Sequence, residues 1–97
     1  MTLREELQAT RDFIHKNGWT QRAIARDKNG KSINMSSPNA CSFCLGGAMI
    51  KIGADEAYRF LTQLLSKRGS TIPHFNDEPG RTKEDILNFL DAMIADS

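Results

Sequence analysis

Three apolar stripes at helical spacing constrain this chain more than any other feature. Leu3, Leu7, Thr10 and Ile14 fall on one face, with Phe13 beside them. Ala57, Phe60, Leu61, Leu64 and Leu65 repeat the pattern, and Ile86, Phe89, Leu90, Met93 and Ile94 repeat it again. Apolar residues recurring three and four apart mark amphipathic helices. Such a helix is stable in water only when its apolar face is covered. Three such faces within 97 residues must cover one another. A chain of this length buries roughly two-thirds of its unfolded surface, enough for one core and one domain, residues 1–97.

Cap residues bound these stripes. Thr2-Leu3-Arg4-Glu5 has the form of a capping box, and Asn17-Gly18 ends the first helix, with Trp19 placed to fold back onto Ile14. Asp55 is expected to cap the helix carrying Ala57 to Leu65, and Gly69 to close it. Thr82 with Asp85 is expected to cap the last helix. A further helix is predicted over Ala40–Ile52, with Ser37-Pro38 as N-cap and first helical residue and Gly53 as its stop. Between the first two helices, Asn29-Gly30 is a strong turn signal because both residues tolerate positive φ. It predicts a short β-hairpin pairing Ala23–Arg26 with Lys31–Ile33. Thr71 to Phe75 reads as extended, and Asn76-Asp77-Glu78-Pro79-Gly80 as a turn. The fold class is therefore α+β: mostly helical, about four helices around one core, with a hairpin between helices one and two.

Composition narrows the function classes. Thirteen Lys and Arg balance twelve Asp and Glu, for a net charge of +1. With no basic cluster, direct nucleic-acid binding is not expected. No apolar run approaches the roughly 20 residues of a membrane helix, and the first residues carry no signal-like apolar segment, so the expected location is the cytoplasm. There, Cys41 and Cys44 are expected to be reduced.

Chemistry could sit at three places. Cys41-Ser42-Phe43-Cys44 has the CxxC form of a redox pair or half a zinc site. A structural zinc site needs four ligands, and His15 and His74 stand apart, so no metal and no cofactor is expected. Cys44 followed by His74 and Asn76 also has the residue order of papain-like hydrolases, which makes a cysteine-dependent enzyme the alternative function. In the bland alternative Cys44 is a small core residue about two turns into its helix, and the domain is purely structural. Gly46-Gly47 inside a helix costs roughly 1 kcal/mol per glycine relative to alanine. That cost implies a close crossing at Gly47 and Ala48, by a helix or by the hairpin, or else a ligand packed there. Finally Trp19, Arg26, Asn76 and Asp77 are candidate binding residues. An aromatic wall, a forked donor and two acceptors would suit an anionic or nucleobase-like ligand or a protein loop. The competing reading has Asp77 paired with Arg26 or Arg81, tying loop to hairpin.

Taken in order, Gly18-Trp19, Ala25-Arg26-Asp27 with Gly30, Cys44-x-x-Gly47-Ala48 and Phe75-Asn76-Asp77 resemble an uncharacterised family of small bacterial and phage proteins. That family's pattern is GW, A-R-D-x-x-G, CxxGA and W-N-D before a final helix. The likeness spans about residues 13 to 95. Phe75 stands where the family favours Trp, and Cys41 has no counterpart in the pattern, which argues against CxxC chemistry. The resemblance transfers no mechanism. The leading expectation is a small binding module that takes a protein partner or small ligand on the surface around Trp19, Arg26, Asn76 and Asp77. The phage-associated members of the family it resembles make a phage-encoded inhibitor of a host defence system such as CRISPR its concrete form.

Overall fold

The computed structural model describes residues 1–97. It contains five helices: α1 (Leu3–Asn17), α2 (Leu45–Ile52), α3 (Asp55–Ser66), α4 (Ile72–Asn76) and α5 (Lys83–Asp96). Two short strands, β1 (Ala25–Arg26) and β2 (Ser42–Phe43), lie between α1 and α2. The protein is α+β and mostly helical, as the three stripes require.

The stripes meet in one core. Helix α1 packs on α5, α2 and α3, burying Leu7 and Ile14 against Leu61, Leu65, Ile86 and Leu90. Leu45, Ala48 and Met49 of α2 and Ile72 of α4 complete it. Phe13 meets Phe43 with ring centroids 4.9 Å apart, and Phe75 meets Phe89 at 4.5 Å, both in tilted geometries favourable for aromatic rings.

The capping boxes of α1 and α5 form as their sequences require. Thr2 Oγ1 accepts from the Glu5 amide and Glu5 Oε1 accepts from the Thr2 amide; Thr82 and Asp85 do the same. Helix α3 differs. Its N-cap is Ala54, with no side-chain cap of its own, and Asp55 is its first helical residue. The missing acceptor comes from α1: the buried Glu6 carboxylate takes the Ala57 N–H at 3.0 Å. A charged group removed from water needs such a bond, and this one docks α3 on α1.

Two further expectations are corrected and a third is extended. The Ser37-Pro38 segment is a turn, with Ser37 Oγ accepting from the Asn39 amide. Helix α2 therefore starts at Leu45, with Cys44 as its N-cap. The expected hairpin forms: Asp27 Oδ1 accepts from the Asn29 and Lys31 amides, the Asp27 amide donates to the Lys31 carbonyl and the Ile33 amide to the Ala25 carbonyl, and an antiparallel bridge joins Arg26 to Ser32. What the turn signal does not reveal is that β1 also pairs with β2, antiparallel, with Ala25 opposite Phe43 and Arg26 opposite Ser42. This pairing buries Ala25 and Phe43 in the core, which a free hairpin could not do. Thr71–Phe75 is not extended: Thr71 Oγ1 caps α4 by accepting from the His74 amide, and Pro73 occupies the first turn, where its missing N–H is not needed.

Gly18 ends α1 at φ 122 and ψ 160, outside the left-handed helical region and open to glycine alone. The bend sends Trp19 alongside β2, where it bridges to Phe43 in parallel.

Candidate functional site

Asn76, the last residue of α4, is fully buried. A buried amide must satisfy two donors and an acceptor with two lone pairs, and this one does. Its Oδ1 accepts from Trp19 Nε1 at 2.6 Å and from the Leu45 amide at 2.9 Å. Its Nδ2 donates to the Thr20 carbonyl at 3.0 Å and to Asp77 Oδ1 at 2.9 Å. The Asn76 carbonyl takes Gln21 Nε2. One side chain thus joins α4, the start of α2 and the segment after α1.

Asp77 Oδ1 also accepts from the Arg22 amide at 2.9 Å. Asp77 pairs with neither Arg26 nor Arg81, since the molecule's single ion pair is Arg11–Asp91. Arg26 is held instead by Thr20 Oγ1, the Gly30 carbonyl and the Gln21 carbonyl, all within 3.0 Å. Arg81 stacks over Phe75 at 4.0 Å and donates to its carbonyl. Of the four residues singled out from the sequence, Trp19, Asn76 and Asp77 are brought together, and Arg26 is bonded to neighbours of that cluster. Trp19, Asn76 and Arg26 have their polar groups engaged within the protein. Asp77 alone lines an open hollow.

That hollow, of about 320 Å³, lies where the Arg22–Ile24 loop crosses α2. Gly46 and Gly47 lie along it, Cys44 sits at the helix start, and Ile50, Tyr58, Pro73 and Asp77 complete its wall. A Cβ added at Gly47 would stand 2.5 Å from the Ile24 carbonyl oxygen and 2.9 Å from its Cγ1. The glycine is there because the β1 approach passes directly over the helix, the close crossing its helix cost implied. Arg22 enters the crossing at φ 61, a left-handed conformation costing a non-glycine residue roughly 1–2 kcal/mol. The Asp77 bond to its amide helps hold it there. A shallower depression of about 580 Å³ shares Ile50 and Tyr58 and continues between α2 and α3.

Cys44 is half-buried in the hollow, and its Sγ accepts from the Gly47 amide at 3.2 Å. It is thus at the helix start and not two turns in. Burial pushes its thiol above the ordinary range and the Asp77 charge adds to that, outweighing the Gly47 and Gly46 amides. A thiol so placed is protonated at neutral pH and a poor nucleophile. His74 is exposed and does not line the hollow, and Asn76 has no free hydrogen-bonding group, so no Cys-His-Asn triad is assembled. Cys41 and Cys44 flank β2. Three residues of extended chain span about 10 Å, beyond the roughly 7 Å between Cα atoms that a disulfide bridges. No group of three or more His, Cys, Asp or Glu is arranged to hold a metal, and no helix is long and apolar enough to cross a membrane.

Arg22, Ile24, Ile50 and Tyr58 were not legible as site residues. Their common signal was the Gly46-Gly47 pair, which marked the crossing but not its partner.

No curated protein and no solved structure matches the chain. The model of one family, described as a family of unknown function (DUF6197), matches residues 1–96, and the chain belongs to that family.

Proposed function

We propose that the chain is a binding module and that its ligand seats in the hollow between the Arg22–Ile24 loop and α2. One observation carries this reading. Apart from Met1, the large hydrophobic side chains exposed to solvent are Ile24, at 42%, and Ile50, at 47%, and both border this hollow. Exposed apolar groups gathered in one place mark interaction surfaces more often than scattered ones do. The polar groups around them are few and specific, as in ligand sites generally. The high thiol pKa of Cys44 disfavours catalysis there. The family resemblance gives the reading its concrete form, an inhibitor of a host defence protein acting in the cytoplasm.

The test is an NMR screen of ¹⁵N-labelled protein with small fragments, each carrying one branched alkyl group. Shifts confined to Ile24, Gly46, Gly47 and Asp77 are expected. Shifts confined to the polar depression beside Asp27 and Cys41, or none at all, would refute it.

A further inference from the structure

Arg22 and Asp77 carry opposite charges and line the same hollow, yet they form no ion pair. Only the backbone N–H of Arg22 is engaged, leaving its guanidinium without a hydrogen bond inside the protein. Asp77 makes both its bonds through Oδ1, so Oδ2 is free. The hollow therefore offers a forked donor and a carboxylate acceptor beside the aliphatic surfaces of Ile24 and Ile50.

This combination discriminates among occupants. A carboxylate or phosphate would meet repulsion from Asp77, and an ammonium would meet repulsion from Arg22. A neutral group with both an acceptor and a donor suits both, and the peptide group is that. At about 320 Å³ the hollow is at the small end of the roughly 300–1,000 Å³ typical of ligand sites, which suits a side chain better than a cofactor. Building on the binding reading above, we propose that the occupant is an extended peptide segment of a partner protein. One aliphatic side chain seats between Ile24 and Ile50, and the adjoining peptide C=O and N–H pair with Arg22 and Asp77 Oδ2. The Asp77 bond to the Arg22 amide fixes the root of the guanidinium before the peptide arrives, which reduces the ordering cost of binding.

The experiment selects a displayed library of random heptapeptides on the wild-type protein and measures the enriched peptides on Arg22→Gly and Ile50→Glu. Arg22→Gly suits φ 61 and keeps the amide bonded by Asp77; Ile50→Glu changes an exposed position. Circular dichroism establishes that both are folded. The expected result is enrichment of an aliphatic residue at one position, loss of binding to Ile50→Glu, and roughly ten- to hundredfold weaker binding to Arg22→Gly, the worth of a hydrogen bond to a charged group. Enriched peptides that bind both variants like wild type would overturn this inference and the binding site together. No enrichment, with branched-alkyl fragments still shifting the hollow's amides, would overturn the peptide occupant and leave the binding reading standing. No enrichment and no fragment shifts would overturn both.

Discussion

The indole Nε1 of Trp19 donates to Asn76 Oδ1 at 2.6 Å, across 57 positions of sequence. The same oxygen takes the Leu45 amide, so one buried carboxamide holds the end of α4, the start of α2 and the turn after α1 in register. Asn76→Ala would leave the Leu45 amide and the Thr20 carbonyl without their partner. Each buried orphan costs about 1–3 kcal/mol, so a loss of about 3–5 kcal/mol in urea unfolding is expected. Trp19→Phe removes one donor and should cost about 1–2 kcal/mol. In the double variant the two losses should not add, because they share one bond.

Glu6 supplies the cap that α3 lacks. Glu6→Ala should destabilise by about 1–2 kcal/mol, the usual worth of an N-cap. Glu6→Gln keeps an acceptor oxygen and should lose less. Equal losses would show that the bond to Ala57 contributes little.

The two helical glycines should respond oppositely. A Cβ at Gly47 meets the Ile24 backbone, whereas one at Gly46 meets only Ile72 Cγ2 at 3.4 Å and Tyr58 Cε2 at 3.6 Å. Gly47→Ala should destabilise by about 1–3 kcal/mol, as overpacking does, and Gly47→Leu by more. Gly46→Ala should be neutral or gain up to about 1 kcal/mol from helix propensity. Thermal unfolding of the three variants decides this.

Cys44 should resist alkylation. Burial and the nearby Asp77 charge hold its proton, so its reaction with iodoacetamide should lag a free thiol and accelerate at higher pH than the ordinary value of about 8.5. Asp77→Asn removes one cause and should speed it. Because the folded state binds this proton more tightly than the unfolded chain, the associated stability is fully present below the ordinary thiol value and is lost as pH rises through the folded one. Mass spectrometry of each cysteine across pH 7 to 10 reads the rates.

The sequence made the helices legible because their apolar period and caps are local. What it concealed depends on contacts between distant segments. Ser37-Pro38 has helix-start chemistry, but the Phe43 side chain is worth more in the core opposite Ala25, so β2 forms and α2 begins at Leu45. Asn29-Gly30 marks the turn and the Lys31–Ile33 return that bonds to Ala25–Asp27, but not β2, the second partner that β1 takes from further along the chain. Asn76 and Asp77 were visible as a polar pair, but the partners that bury one and expose the other come from Trp19 to Arg22. Ile24 and Ile50 look like ordinary core residues until the crossing at Gly47 leaves both facing solvent.

The most direct test is Ile24→Ser combined with Ile50→Ser, measured for both unfolding free energy and fragment-induced amide shifts. Residues this exposed contribute little to the core, so stability should stay within about 1 kcal/mol of wild type, while the shifts at Gly46, Gly47 and Asp77 should disappear. Unchanged shifts, or a loss of several kcal/mol, would contradict the assignment of this hollow as the binding site.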